Sequence, residues 1–539
     1  MNIKQVLIVG GGLAGIVCTL QLLDQGLPVT LVDRDVPDRL GGLAKESFGG
    51  ILMVDTPEQR RHGIRDHVDM ALQDWLAFGG FAAEPQEAEY WPRQWAAHYL
   101  NDSLQYIYHW LHKRGIRFLP VPMWVERGTE HVRGNSVPRW HVVWGTGQGL
   151  VQTLVAHLQQ HPQRSKLTLL HDHRVEALTC SAGQVSGCRG VHQTTGEPFE
   201  LHASMVVIAA GGINGGDLSQ VRQHWHDDWG TPPAGMLNGS HQYADGSLHR
   251  AAAEVGANLT HLDRQWNYAA GIRHWQPRKP LHGLSLVPPK SALWLNGRGQ
   301  RIWPPLVSGF DTRDLVTQLC AQSHGHSWQL MNRRIALKEL AISGAEFNPS
   351  IRNKSKLGFV RDVLLGNRWL FDQLLAHSND VVVARTIDEL ADKMNALQGE
   401  SLVQAATLRR AVQAYDAEVD KGTASTDPQR LQIAQLRQWK GDRLRTCKAA
   451  KILDSASLPL IAIREHIISR KSLGGIQTNL NSQVLDAHGQ PIAGLYAIGE
   501  AAGFGGGGMH GLRSLEGTFL GGCIYSAQRA ASAIAQMLA

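Results

Sequence analysis

The sequence predicts an α/β fold in two parts, a discontinuous nucleotide-binding domain with an α+β cap domain inserted into it. Three separated segments carry that prediction. They are Val9-Gly10-Gly11-Gly12-Leu13-Ala14-Gly15 near the start, Val206-Val207-Ile208-Ala209-Ala210-Gly211-Gly212 in the middle, and Gly494-Leu495-Tyr496-Ala497-Ile498-Gly499-Glu500 near the end. The first alone is a weak signal, because Gly-x-Gly-x-x-Gly arises by chance in glycine-rich loops. All three in this order, followed by Gly505-Gly506-Gly507-Gly508-Met509-His510-Gly511, describe a chain that leaves its nucleotide domain and returns to it. At 539 residues the chain also exceeds the size at which one hydrophobic core keeps growing.

Taken in order, Val6 to Val9 is a short, wholly apolar run of the kind that forms a buried parallel strand, and Gly10 to Gly15 turns it into a helix over 16–25. This is a Rossmann-like opening. Gly10 permits the tight turn, Gly12 lets backbone approach a pyrophosphate, and Gly15 lets the helix lie close to the sheet; Leu13 and Ala14 lie in the same loop. The phosphate then sits at the positive end of the helix. A second strand, Val29 to Val32, ends at Asp33 with Arg34 beside it, placing a carboxylate where a ribose hydroxyl pair is held. An acid here favours an unphosphorylated ribose, that of FAD or NAD. A second glycine loop, Arg39 to Gly50, is long enough to run beside an isoalloxazine ring, and Gly41, Gly42, Leu43, Ser47, Gly49 and Gly50 are its candidate contacts. Leu169 to Val175 reads as a further strand of the same domain, followed by the strand and turn that carry Ala210 and Gly211. At the end, Glu500 brings a carboxylate to the flavin chain. Leu515 to Gly522, with Gly517, Phe519 and Leu520, starts a closing helix whose N-terminus faces the electron-rich edge of the flavin. NAD enzymes have no need of that returning piece, so FAD is the predicted cofactor.

The bulk numbers exclude several classes. A net charge of +6 suits an anionic partner, but no run of five Lys or Arg occurs, so the excess reads as a solvated surface and no nucleic acid is expected. Six cysteines stand far apart with no C-x-x-C and no C-x-x-C-H, which excludes a ferredoxin-type cluster run and covalent haem. Isolated, reduced thiols favour a cytoplasmic protein. No metal site is predicted. The first apolar run begins after Met1 to Gln5 and breaks at Gly10, which fits neither a signal peptide nor a membrane span, and no other stretch holds 18 apolar residues. Sixteen tryptophans, clustered at Trp91, Trp95 and Trp110, at Trp124, Trp140 and Trp144, and at Trp266, Trp275, Trp294 and Trp303, read either as core packing or as an aromatic-lined cleft for a flat apolar substrate.

At this point the chain resembles, nearly end to end, the fumarate reductase and 3-ketosteroid dehydrogenase superfamily of FAD-dependent oxidoreductases. Tyr243-Ala244-Asp245-Gly246 followed by Val255-Gly256-Ala257 is similar to its Gly-Asp-Gly helix and exit, which adds Asp245 to the cofactor candidates. Leu295 to Arg301, Thr312-Arg313-Asp314 and Val412 to Asp416 are similar to phrases of its cap domain. The resemblance implies an FAD-binding domain over 1–263 and 456–539, and a cap over 264–455. Some members tether FAD through a histidine in the second glycine loop. Residues 39–50 hold none, so the flavin is expected to be non-covalent.

In fumarate reductases histidines and arginines hold the two substrate carboxylates, and an arginine supplies the proton. The family's cap arginine falls on Arg313, its first substrate histidine on Tyr268, its second on Lys471, and its second arginine on Ser514 with Arg513 adjacent. Half of the dicarboxylate clamp is thus altered. Tyr268, with Trp266 and Trp275 nearby in sequence, suits an apolar carbonyl compound, and the ketosteroid dehydrogenase mode gives a phenolate the role of base. Lys471, His510 and Arg513 complete the catalytic candidates. Each has a plainer alternative: a packed ring for Tyr268, a salt bridge to Asp311 or Asp314 for Arg313, a solvated amine for Lys471 and a structural hydrogen bond for His510. The implied reaction is hydride transfer between flavin N5 and a carbon–carbon bond next to a carbonyl on a small apolar substrate. Reduction of an unsaturated acid, and a flavin-binding redox protein without organic substrate, stand as alternatives. With no haem or iron–sulfur motif, electrons pass to oxygen, a quinone or a separate protein.

Overall fold

The structure, a computed structural model, describes residues 5–84 and 87–539; part of the short lead-in, residues 1–4, lies outside them. The chain divides into two units, one of 1–225, 240–266 and 470–539, the other of 226–239 and 267–469.

The first unit is built on a six-stranded sheet in the order Gln483–Leu485, Pro491–Ala497, Met205–Ile208, Val6–Val9, Val29–Val32, Leu167–Leu170. All neighbours run parallel except the antiparallel pair 483–485 and 491–497. Val6 to Val9 is buried at every position, as a parallel strand covered on both faces must be. The helix Leu13–Asp24 packs against the closing helix Thr518–Leu538 and buries ten of its twelve residues. Gly15 is the reason it can lie so close to the strand: a Cβ there would collide with the carbonyl oxygen of Gly10.

The run 169–175 is not one strand. It breaks at His171 and at Asp172, whose φ of 60° no strand accommodates, into Leu167–Leu170 of the parallel sheet and His173–Ser181 of a separate antiparallel sheet with Gln184–His192 and Pro198–His202. Ala182-Gly183, both at positive φ, form the two-residue turn of that hairpin. Val175 therefore points into a core with Leu7, Val185 and Ile208.

The second unit is organised round the long strand Leu460–Ser472, in the order Leu293–Leu295, Ser327–Asn332, Leu460–Ser472, Gln265–Arg273, Gly283–Val287, Ala341–Ile342. Side-chain caps start its helices, Asn332 accepting from Ile335 N, Thr386 from Glu389 N and Asp427 from Arg430 N. The entry to this unit, expected at 264, falls at Asn267. The exit, expected at 456, comes only at Arg470, because Leu460 to Glu465 pair residue by residue with Asn332 to Ser327. The segment 226–239 also belongs here, since Leu237 and Asn238 join the same strand.

Candidate functional site

In the first unit the first glycine loop, the second glycine loop and the start of the closing helix meet. Gly41 N donates to Gly11 O at 2.9 Å, so the second glycine loop lies beside the first, and Leu52 N donates to Gly517 O at 2.9 Å, which adds the start of the closing helix. The helix Leu13–Asp24 begins at Gly12 without a side-chain cap, and a Cβ on Gly12 would meet nothing within 4 Å. The helix start therefore has room beside Gly12 at the positive end of a helix dipole. Asp33 closes the second strand and accepts from the backbone N–H of Gly11 and, at 2.6 Å, of Asp35; burial raises its pKa above the ordinary carboxylate value. Arg34 reaches across to Asp245 at 2.8 Å and lies over the Tyr243 ring at 4.1 Å, so these two candidates are partners of one another. Leu43 and Ser47 lie in and just after the short helix Gly42–Glu46, where Ser47 Oγ donates to Ala44 O at 2.8 Å. Gly49 and Gly50 lead into the strand Gly50–Leu52, and Ala210 and Gly211 follow Met205–Ile208. Leu520 is buried in the first turns of the closing helix.

A second cluster surrounds Lys471. Its ammonium stands 3.9 Å from the Phe519 ring centroid, and burial draws its pKa down to about 8 against the opposing pull of Glu516 and Glu500. Glu500 accepts from Ser472 N at 2.9 Å, and burial pushes its carboxyl up to about 7. His510 lies between Phe519, at 5.2 Å, and Trp75, on which it stacks at 5.6 Å and 10°. Burial holds the imidazole neutral down to about pH 3, and neither ring nitrogen has a hydrogen-bond partner among the described residues. The expected structural hydrogen bond is thus not what holds His510; ring stacking is. Buried nitrogens left open, an uncapped helix start over open space and a carboxyl set near a lysine are together what FAD would complete.

Glu516 and Cys523, which the sequence reading missed, belong to this cluster through their charge interactions with Lys471. Nothing in spacing marked them, although both lie within a few residues of Gly517. Arg513 is half-buried, whereas the adjacent Ser514 is buried and its hydroxyl meets Thr518 Oγ1 at 2.8 Å. The four glycines 505–508 lie in the same unit. They are buried, at φ of 149°, 67°, 76° and 150°, and Cβ atoms there would run into Trp95, Trp91, Thr260 and His261 respectively. The close approach that requires glycine is to the protein's own atoms, the backbone of Trp91 and the side chains of Trp95, Thr260 and His261.

In the second unit Tyr268 is half-buried on Gln265–Arg273. Arg313 opens the helix Thr312–Cys320, capped by Asp311. It is only 6% exposed, and its guanidinium meets Asp228 at 2.9 Å and His226 at 3.3 Å, 5.1 Å from the Trp229 ring centroid. The salt-bridge alternative therefore applies with a different acid. Asp228 lies on the segment 226–239 that joins this unit, a placement only the fold reveals.

Residues 5–520 match the family described as FAD binding domain. The chain is 40% identical over 547 residues to a KsdD-like steroid dehydrogenase of Mycobacterium tuberculosis, covering 98% of this chain and 95% of that one. Among solved structures it is similar to the open conformation of a flavocytochrome c3 fumarate reductase (TM-score 0.68, 21% identity, 99% of this chain and 78% of that one). It is also similar to 3-ketosteroid-Δ4-(5α)-dehydrogenase of Rhodococcus jostii RHA1 in complex with 4-androstene-3,17-dione (TM-score 0.63, 20% identity, 98% and 96%). These two likenesses establish the fold. The chain belongs to the FAD binding domain family and is an FAD-dependent oxidoreductase.

Proposed function

We propose that this protein is an FAD-dependent dehydrogenase that forms a double bond beside the carbonyl of a ketosteroid or a similarly flat, apolar ketone. The observation that carries the reading is the 40% identity, over nearly the full length of both chains, to a protein named as a steroid dehydrogenase. Fumarate reduction is disfavoured by the residues themselves. A small dicarboxylate needs several rigid, charge-assisted donors to be held in preference to water. Tyr268, Lys471 and Ser514 stand where the resemblance calls for two histidines and an arginine. Arg313 is already neutralised by Asp228.

When bound, FAD supplies the centre that accepts the hydride. Tyr268 takes the proton from the carbon next to the carbonyl and returns it in the reverse direction. A free phenol titrates near 10, so Tyr268 needs positive charge in its surroundings to act at neutral pH. Backbone N–H groups of 513–517 are our candidates as donors to the carbonyl oxygen as it gains enolate character, those of Gly511 and Leu512 being given already to Gly508 O and Gly79 O. Lys471 keeps a positive charge beside Glu500, and His510 offers a neutral ring nitrogen to the cofactor. The electrons then leave to oxygen, a quinone or a separate protein. All six cysteines are free, as in a reducing compartment, and we assign the protein to the cytoplasm.

The test is turnover of 4-androstene-3,17-dione with an artificial dye as acceptor, followed by mass spectrometry. A product two hydrogens lighter supports the reading. Fumarate reoxidising the reduced enzyme, with no steroid turned over, contradicts it.

A further inference from the structure

The helix Lys356–Leu365 has six apolar residues among its ten, and none of the ten is buried. Leu357 is 87% exposed, Val360 52%, Leu364 62% and Leu365 76%. Leu357, Val360 and Leu364 recur at i, i+3 and i+7, which puts them on one face. A stripe at helical spacing is the pattern by which a helix buries itself against a partner, and here it faces outward. Arg361 rises on the same side with its head held by Asp362, an arrangement that lets the stem lie along an apolar surface. Trp369, 41% exposed, continues the surface on the next helix, and Leu444, 48% exposed, extends it on Lys440–Arg445.

The stripe adjoins a strongly basic cleft. Leu364 and Leu365 form part of the wall of a cavity of about 550 Å³ whose charged lining consists of Arg333, Arg334, Lys338, Arg437, Arg443 and Lys448, with no carboxylate. Among the described residues none of these six cations has a carboxylate within salt-bridge distance. Arg437 and Lys338 are turned instead to the main-chain carbonyls of Thr446 and Val363. The acids nearby are engaged elsewhere: Glu339 accepts from Ser291 and from Cys447 N, and Asp454 from Ser457 and Ala456 N. Lys354 and Lys356 add exposed positive charge at the start of the helix.

We propose that this face seats the protein on an anionic lipid bilayer, with Leu357, Val360, Leu364 and Leu365 entering the headgroup–acyl boundary while the basic cleft receives lipid phosphates. Exposed leucines beside unpaired arginines and lysines match both layers of such a surface. A two-fold contact with a second copy fits worse, because it would set the same six cations against themselves. No helix among the described residues is long and apolar enough to cross a membrane, so the attachment is peripheral.

The experiment is co-sedimentation of the FAD-loaded protein with vesicles of phosphatidylglycerol and phosphatidylcholine in equal parts, and with vesicles of phosphatidylcholine alone. Binding to the first that weakens as salt is raised, and little binding to the second, is the expected result. The double substitution Leu357→Asp, Leu364→Asp removes apolar contact and should weaken binding at least about tenfold. Arg443→Glu with Lys448→Glu should do the same through charge. Thermal melting equal to the parent's shows that the exposed substitutions leave the fold intact. Equal affinity for both vesicle types, no binding to either, or leucine variants that bind as well as the parent would overturn the proposal. So would a concentration-dependent dimer that Leu357→Asp dissociates.

Discussion

Tyr268 carries the proton chemistry of the proposed reaction, and Tyr268→Phe isolates it, since the ring remains and only the hydroxyl is lost. Steroid-dependent reduction of the enzyme should fall by at least about 100-fold in stopped-flow measurements while FAD content stays at the parent level. A change within about threefold would remove the base from the account. His510 makes a prediction of a different kind. An ordinary histidine takes a proton near pH 6.5, but this one remains neutral down to about pH 3. Between those values the unfolded chain binds a proton that the folded chain refuses, so acidification through this window favours unfolding. His141 and His249, both held neutral by burial to about pH 4, act in the same direction. His510→Phe keeps an aromatic ring against Trp75 and should flatten the dependence of Tm on pH between about 6.5 and 4 in flavin-free protein. An unchanged slope would mean that the parent ring is not held neutral. At this scale the sequence named Lys471, His510 and Phe519, which do come together, because each lies within a few residues of a glycine marker, Gly474-Gly475, Gly505 to Gly508 and Gly517 respectively. It missed Asp228, because the link between Asp228 and Arg313 spans 85 positions and leaves no local pattern.

Among elements, the strand–turn–helix opening and the returning C-terminal segment were legible because their glycines mark backbone demands that other residues cannot meet. The tetraglycine turn was legible as part of the returning segment, but what it packs against was not. Burial against Trp91, Trp95, Thr260 and His261 depends on residues hundreds of positions away. Gly507→Ala places a Cβ against Thr260 Oγ1 at a φ of 76°, and should cost about 1–3 kcal/mol in denaturant unfolding. The break at Asp172 falls in the polar run His171-Asp172-His173-Arg174, which separates the apolar Leu167 to Leu170 from Val175. Pattern alone gave no sign of the charged cluster that joins the loop at 133–139 to the helix Val68–Phe78. Arg139, fully buried, donates to Asp66 at 2.8 Å and to Asp74 at 2.6 Å. Arg139→Leu would leave the buried Asp66 without its arginine and Asp74 with Arg133 alone, and should cost about 3–5 kcal/mol in the same measurement. A loss under about 1 kcal/mol would show that the cluster contributes little.

For the whole molecule, the second unit ends before Arg470, about 14 residues beyond the exit expected at 456. A strand shared by both units, Leu460–Ser472, has no composition shift at the point where it changes allegiance. The flavin should leave with acid or heat, because residues 39–50 offer no histidine tether; yellow colour retained on the denatured polypeptide would contradict that. The central claim is that a chain with an FAD site and an altered dicarboxylate clamp removes hydrogen from a flat ketone. The most direct measurement is an anaerobic single turnover of the FAD-loaded protein with 4-androstene-3,17-dione, followed by the flavin absorbance. Bleaching with a half-time independent of any added acceptor, and one dehydrogenated steroid formed per flavin, is the predicted result. An oxidised spectrum that the steroid leaves unchanged, in protein whose chemically reduced flavin is reoxidised by fumarate, would contradict it.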